Sequence, residues 1–160
     1  MRPSVYLETT IPSYITGWLS SDLVTAAHQG VTQAWWDRHR KDYDLHISVA
    51  VLDEARAGDP EAAQRRLELL KNIPTIEITD QMVVLSRQLA AELPLPTSAD
   101  VDALHIAVAA VGGMDYLLTW NLKHIGNATL RKRIDSICRS QGYDPPIICT
   151  PHELMGEWQE

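Results

Sequence analysis

The part of the chain that most constrains the fold is residues 98–121. Eight of the nine residues 103–111 are apolar, His105 being the exception, and the abundance of alanine predicts a helix buried on nearly all sides. A pair of glycines then predicts the end of that helix. Residues 116–119 are Tyr-Leu-Leu-Thr, which indicates a short buried strand, and Asn121 follows it. Acids therefore open a core helix, and an amide follows a core strand.

Apolar runs along the rest of the chain alternate with stretches of helical periodicity. This alternation is typical of βαβ units, which form a mostly parallel sheet covered by helices on both faces. We therefore predict an α/β fold with three layers, helix, sheet and helix. The predicted strands are residues 5–7, 45–48, 73–78, 116–119 and 147–149, and the predicted helices are residues 13–19, 22–40, 49–57, 60–71, one from 80, the core helix, 128–141 and a short one from 151.

The composition is that of a globular chain. Its 160 residues predict a single domain, 1–160, and 45% of them are apolar against 22% charged. No run approaches the roughly 20 apolar residues of a membrane span, so we expect no membrane association. We also expect no signal peptide. The two cysteines, Cys138 and Cys149, fit neither a disulfide framework nor a zinc site, which favours a cytoplasmic location.

The charge is unevenly distributed. The net charge is −7, which argues against a protein with a positive potential over its whole surface. Residues 123–139 nevertheless contain five basic side chains and a single acid, Asp135. This segment is either a solvated helix face or a surface that contacts phosphates. Its basic residues are Lys123, Arg131, Lys132, Arg133 and Arg139.

Four oxygen-bearing side chains lie near predicted element ends: Glu8, Glu54, Asp102 and Asn121. Each has a structural explanation when taken alone; Asp102, for example, is favoured by the dipole of the helix that it opens. Together they indicate a site, because the carboxyl ends of parallel strands meet at one edge of a sheet. Carboxylate and amide oxygens suit Mg²⁺ or Mn²⁺ better than zinc.

The acids at the start of the core helix compete for one role. Asp100 and Asp102 differ by about 200° around a helix, so only one can face a site on that side. We predict that Asp100 or Ser98 caps the helix and that Asp102 points inward. His105 lies on roughly the face of Asp102, and we interpret it as a hydrogen-bonded core residue. Two further side chains are expected to shape the rim of the site without acting in catalysis, Trp120 and His124.

Four segments resemble the motifs of the PIN-domain nucleases, and most closely the VapC-like toxins of toxin–antitoxin pairs. They are Val-Tyr-Leu-Glu-Thr-Thr from residue 5, Ser-Val-Ala-Val-Leu-Asp-Glu-Ala from 48, Asp-Ala-Leu-His-Ile-Ala-Val-Ala from 102 and Tyr-Leu-Leu-Thr-Trp-Asn from 116. The resemblance spans nearly the whole chain. It implies a five-stranded parallel sheet of order 3-2-1-4-5, divalent-metal-dependent cleavage of RNA, frequent homodimers and inhibition by a cognate antitoxin.

The resemblance assigns roles residue by residue. Glu54 and Asp102 match the second and third acids of the family, and Thr119 matches the hydroxyl of the fourth motif. Glu8 stands where the family usually has Asp. Its side chain is longer by one methylene, which either moves the carboxylate ligand or requires a retracted rotamer. Asn121 also stands where the family usually has Asp, so an oxygen remains and a charge is lost.

We therefore hypothesise a metal-dependent endoribonuclease. Glu8 and Asp102 would be the main ligands of the ion, and Glu54 and Asn121 would complete its coordination shell. Thr119 would orient a water or a phosphate oxygen. The RNA backbone would be held by Lys123, Arg131, Lys132 and Arg133.

Two alternatives remain. The first is a catalytically weak or inactive PIN-fold module that binds RNA or a partner protein, which the departures at Glu8 and Asn121 favour. The second is another α/β phosphohydrolase, although the residues after the first strand lack the usual Asp-x-Asp. A homodimer could form through an apolar surface around Trp18, Trp35 and Trp36, and a helix of an antitoxin could cover the acids.

Overall fold

The sheet has five parallel strands in the order β3-β2-β1-β4-β5, which confirms the predicted topology. The computed structural model of the protein describes residues 1–156, so the predicted domain, 1–160, ends outside the described residues. The short strands are nearly continuous apolar runs, as expected where helices cover both faces of a parallel sheet. Their bounds are β1 Ser4–Leu7, β2 Asp44–Ser48, β3 Thr75–Ile76, β4 Tyr116–Leu118 and β5 Ile147–Cys149.

The helices form two groups. One group connects β1 to β2 and β2 to β3, and the other connects β3 to β4 and β4 to β5. They are α1 Thr10–Thr16, α2 Leu23–His39, α3 Val49–Ala55, α4 Pro60–Leu70, α5 Asp80–Glu92, α6 Asp100–Val111 and α7 Arg131–Ser140. α1 packs on α2 and α4, whereas α5 packs on α6 and α7. Right-handed crossovers place these groups on opposite faces, and the direction of winding reverses between β1 and β4. No helix of residues 1–156 combines the length and apolarity needed to cross a membrane.

The predicted core helix is α6, and it is the most buried helix described. Seven of its twelve residues are buried, including His105. The Met114 N–H donates to the Ala109 carbonyl at 2.9 Å and the Gly113 N–H to the Ala110 carbonyl at 3.2 Å. Gly113 has φ 69°, so the helix ends in the glycine motif expected from the pair of glycines.

The prediction that Ser98 or Asp100 caps α6 is wrong. The N-cap position is Ala99, whose side chain cannot cap, and Asp100 is the first helical residue. A 3₁₀ turn, Thr97–Ala99, leads directly into the helix, and the Thr97 carbonyl accepts the Asp100 N–H. The Thr97 carbonyl therefore satisfies an N–H group at the start of the helix, as a capping side chain would.

Several predicted boundaries shift. The first helix begins three residues earlier than predicted, and the third strand has two residues in place of six. The helix before Gly142 begins at Arg131 in place of 128, and the segment after Pro151 forms a 3₁₀ turn, Glu153–Met155. These differences lie at element ends, where local periodicity carries little information.

The tryptophans predicted as an apolar contact surface do not form one. Trp35 is fully buried and Trp36 is partly buried. Trp18 is 79% exposed, and the Arg65 guanidinium lies 4.6 Å from the centre of its ring. The homodimer therefore stays a prediction, without the surface that motivated it.

Candidate active site

Glu8 lies at the carboxyl end of β1 and is almost fully buried. Its backbone N–H donates to the Leu118 carbonyl at 3.1 Å, which continues the pairing of β1 with β4. Its Oε1 accepts the hydroxyls of Thr119 at 2.6 Å and Thr10 at 2.8 Å, and its Oε2 accepts the Thr10 N–H at 2.9 Å. Two of these three hydrogen bonds come from Thr10, so the carboxylate is held close to its own chain.

Burial raises the pKa of the Glu8 carboxyl above its usual value, because the charged form loses hydration. The positive potential of His105 and the hydrogen bonds from Thr119 and Thr10 act in the opposite direction without cancelling this effect. One lone pair of Oε2 remains without a hydrogen-bond partner among the described residues. Glu8 can therefore receive a cation, which would also compensate the cost of its charge.

Glu54 reaches the same region from the end of α3. Its Oε1 lies 2.6 Å from Thr9 Oγ1, which donates to it, and 2.6 Å from His105 Nε2. Burial alone would raise the pKa of Glu54, but the hydrogen bonds from His105 and Thr9 lower it below the usual value. No hydrogen bond from the described residues reaches Oε2, so this oxygen is available to a ligand.

Three side chains converge closely enough to share an ion. One ligand atom each of Glu8, Glu54 and His105 lies within 4.8 Å of the other two. Glu8 and His105 are buried and Glu54 is partly exposed, so an ion would approach from the side of Glu54.

Asp102 and Asn121 form a second group beside the first. His124 Nδ1 lies 2.9 Å from Asp102 Oδ2, and both side chains are about one-fifth exposed. The Asn121 Oδ1 accepts the His124 N–H at 3.0 Å, and the Asn121 N–H donates to Thr119 Oγ1 at 2.9 Å. The Thr119 hydroxyl, itself a donor to Glu8, therefore links the two groups.

The predicted nucleic-acid-binding residues lie in and before α7. Lys123, Lys132 and Arg133 are exposed, although Arg133 also donates to the Glu92 carbonyl at 3.0 Å. Arg131 is partly buried, and its charge lowers the pKa of the Cys149 thiol, which burial nevertheless raises to about 12. The Cys149 carbonyl accepts the Thr119 N–H at 3.0 Å, so Cys149 borders the strand end that carries Thr119.

Sequence reasoning missed the residues that hold the acids. The hydroxyls of Thr9 and Thr10 and the imidazoles of His105 and His124 all donate to, or pair with, site carboxylates. The pairing of His105 with Glu54 and of His124 with Asp102 has no signal in the sequence. His105 is a hydrogen-bonded core residue as predicted, but one of its partners is Glu54.

Trp120 does not shape the rim. It is 9% exposed, its Nε1 donates to Thr32 Oγ1 at 2.7 Å, and its ring stacks on His28 with centroids 4.0 Å apart. Its backbone N–H donates to the Thr10 hydroxyl at 2.9 Å. Trp120 therefore anchors the end of β4 in the core, behind the site.

The protein resembles solved structures of one kind along most of its length. A chain of the VapBC2 complex from Rickettsia felis gives a TM-score of 0.59. In that structure the complex is bound to a DNA fragment from its own promoter. The VapBC2 chain is 19% identical over 91% of this chain and 97% of that chain. VapC20 from Mycobacterium tuberculosis, a toxin that cleaves the sarcin-ricin loop, gives a TM-score of 0.60. It is 15% identical over 78% of this chain and 95% of that chain.

This chain has the PIN-like fold of these structures. No model of a protein family matches the sequence, and no curated protein matches it. At such low identities the likeness concerns the backbone, so each side chain of the site has to be judged by its own geometry.

The carboxylates of Glu8 and Glu54 fit a divalent cation, and Asp102 lies outside the cluster that they form with His105 among the described residues. Glu54 Oε2 and Asp102 Oδ1 receive no hydrogen bond from the described residues, and Glu8 Oε2 receives one. Free carboxylate oxygens at the carboxyl edge of β1 suit Mg²⁺ or Mn²⁺. Asn121 fits less directly, because its amide oxygen already accepts the His124 N–H.

Proposed function

We propose that this protein is an endoribonuclease that depends on a divalent metal, of the kind represented by VapC toxins. The observation that carries the proposal is the convergence of Glu8 and Glu54 at the strand edge where the winding of the sheet reverses. Open α/β sheets bind their ligands at this place. The PIN-like fold supports the choice of RNA, since VapC20 cleaves the sarcin-ricin loop.

Each predicted site residue has a task in this proposal. Glu8, Glu54 and Asp102 would hold Mg²⁺ or Mn²⁺ through carboxylate oxygens, with the Asn121 amide beside them. Bound there, the ion would supply Lewis acidity, activating a water and offsetting negative charge on the phosphate. Thr119 would act through its hydrogen bond to Glu8 Oε1, which fixes the orientation of that carboxylate.

We further propose that RNA lies along α7 and the loop before it. Lys123, Lys132 and Arg133 offer three exposed cations there within 11 residues of sequence. Arg131 would assist from its partly buried position beside β5. Such contacts attract phosphates without reading sequence, so they indicate nucleic acid and leave the target open.

The proposal extends to partners and location. A VapBC complex among the similar structures supports a cognate antitoxin as partner. We also propose a homodimer, from the resemblance of the sequence to the VapC-like toxins, and a cytoplasmic location, where an RNA substrate is found.

The test is cleavage of a mixed RNA pool by the purified protein in Mn²⁺, in Mg²⁺ and in EDTA. We expect cleavage with metal only, and we expect Asp102→Asn to reduce it to the EDTA level because one carboxylate of the donor set is lost. Asp100→Asn is the matched control, since this exposed acid stands two residues away on a different face of α6. Cleavage in EDTA, or full activity of a folded Asp102→Asn variant, would exclude the mechanism.

A second candidate function is binding without cleavage. Two observations favour it: burial raises the pKa of Glu8, and the Asn121 oxygen is engaged by a backbone N–H. RNA binding by the wild-type protein, with neither metal binding nor cleavage, would support this alternative.

A further inference from the structure

A line of buried hydrogen bonds ends on the Glu54 carboxylate. The Ser48 and Tyr6 hydroxyls lie 2.7 Å apart, and the Tyr6 hydroxyl lies 2.7 Å from His105 Nδ1. His105 Nε2 lies 2.6 Å from Glu54 Oε1. Ser48, Tyr6 and His105 are each 0% exposed, whereas the Glu54 side chain is 37% exposed. The line therefore starts in the core and ends at the surface of the site.

Chemistry gives these bonds a direction at the Glu54 end. An ionised carboxylate can only accept hydrogen bonds, and Glu54 Oε1 already accepts the Thr9 hydroxyl at 2.6 Å. His105 Nε2 must then be the donor, in the neutral and in the protonated imidazole alike. In the neutral ring, Nδ1 accepts a hydrogen bond from the Tyr6 hydroxyl, whose oxygen accepts one from Ser48. In the protonated ring, Nδ1 donates to the Tyr6 oxygen, and the Tyr6 hydroxyl donates to Ser48. The bond to Glu54 is thus made in either state.

We propose that His105 is a positioning residue that holds Glu54 in the orientation needed to bind the metal ion. This inference rests on the function proposed above. Glu54 is carried by a short helix and has three rotatable side-chain bonds, so its carboxylate needs an external constraint. His105 engages Oε1 and thereby leaves Oε2 as the oxygen offered to the ion.

The constraint comes from the core of the fold. Tyr6 belongs to β1, Ser48 ends β2, His105 belongs to α6 and Glu54 to α3. The orientation of one carboxylate is therefore tied to the packing of four elements. A buried, hydrogen-bonded ring cannot touch RNA, so His105 acts on the reaction through the site acids, by its hydrogen bond to Glu54 and by its potential at Glu8.

The experiment measures Mn²⁺ affinity of the metal-free, full-length protein by electron paramagnetic resonance, together with kcat and KM for RNA cleavage. We expect His105→Leu to weaken Mn²⁺ binding about 10–100-fold, the usual effect of losing a residue that supports a metal ligand. kcat should fall while KM for RNA changes little. His105→Gln should recover most of the affinity, because its amide nitrogen can replace Nε2 as donor.

Tyr6→Phe provides a milder variant, since it removes one oxygen and leaves the donor to Glu54 in place. We expect it to weaken Mn²⁺ binding less than His105→Leu does. The matched controls are His39→Gln and Tyr43→Phe, whose side chains contact Asp42 and the Leu154 carbonyl away from the site. Both should bind Mn²⁺ like the wild-type protein.

The outcomes separate the two proposals. Wild-type protein that cleaves RNA and binds Mn²⁺, with unchanged affinity in His105→Leu and in Tyr6→Phe, would overturn the positioning role alone. If His105→Leu does not fold, His105→Asn takes its place, because the shorter amide cannot reach Glu54, and unchanged affinity in that variant would overturn the positioning role. Wild-type protein that neither binds Mn²⁺ nor cleaves RNA would overturn the proposed function, and the positioning role with it.

Discussion

Glu8 and Glu54 are neighbouring acids whose surroundings shift their pKa values in opposite directions. Burial raises the pKa of Glu8 despite three hydrogen bonds, whereas two hydrogen bonds lower the pKa of the more exposed Glu54. The metal-free site therefore favours protonation of Glu8 over protonation of Glu54. Opposite pKa shifts in adjacent carboxyl groups are typical of functional sites. In a structural ion pair, by contrast, a buried acid seldom lacks a cation as its partner.

The shift of Glu8 predicts how stability depends on pH. Since its pKa is raised, its contribution to the free energy of unfolding is fully present below about 4.5, the unfolded value, and is lost as pH rises through the folded pKa. We expect the stability of metal-free wild type relative to Glu8→Gln to fall from acidic to neutral pH. Urea unfolding at a series of pH values measures this difference.

Glu54 is the internal control, because its lowered pKa has the opposite consequence. Its contribution is present above about 4.5 and is lost as pH falls through the folded pKa. The stability of wild type relative to Glu54→Gln should therefore fall toward acid pH. Curves of the same sign for the two variants would contradict the environments described for these acids.

At the scale of elements, α6 presents the site at one end and depends on a glycine at the other. Its first turn carries Asp100 and Asp102, whose charges interact favourably with the helix dipole. Its last turn is closed by Gly113 in the left-handed region, at φ 69°. The two ends are thus separable by mutation, one affecting chemistry and the other stability.

We expect Gly113→Ala to lower the free energy of unfolding by about 1–2 kcal/mol, since a left-handed conformation is costly for a residue with a Cβ. Metal-dependent cleavage should persist in the folded fraction. Gly30→Ala is the matched control, because Gly30 lies within α2 and an added Cβ would meet nothing within 4 Å. There the same substitution should stabilise by about 0.5–1 kcal/mol. Denaturant titrations of both variants suffice, and equal effects would refute the assignment.

At the scale of the molecule, the distribution of charge matters more than its sum. The chain carries a net charge of −7, yet the exposed cations Lys123, Lys132 and Arg133 lie close together in sequence. Phosphates would meet a local positive surface on an otherwise acidic protein. Binding should therefore be strongly dependent on salt concentration.

We expect Lys132→Ala to reduce the slope of log K against log salt by about 0.7, the value for losing one contact with a single-stranded backbone. The measurement is RNA affinity of the Asp102→Asn variant, which avoids cleavage, over a range of salt concentrations. Arg38→Ala is the control, since this exposed cation lies on α2. A slope unchanged by Lys132→Ala would remove α7 from the proposed RNA surface.

The sequence by itself determined the elements and their order. The apolar run of α6, its terminal glycines and the alternation of strands with helices are local patterns, and burial of each element follows from its own periodicity. The motif resemblance added the strand order and proposed Glu8, Glu54 and Asp102 as the acids. The topology then places the ends of the elements that carry these acids at one edge of the sheet, and this placement does not depend on the details of packing.

Only the tertiary structure decided what holds each acid. His105 meets Glu54 across 51 positions of sequence, and His124 meets Asp102 across 22. Such pairs depend on strand register, helix rotation and side-chain rotamers together, and none of these has a local signature. The orientation of the Glu8 carboxylate is likewise set by Thr119 on the neighbouring strand end. Periodicity specifies which face of an element is buried, but the partner that a buried polar atom finds depends on all the elements packed around it.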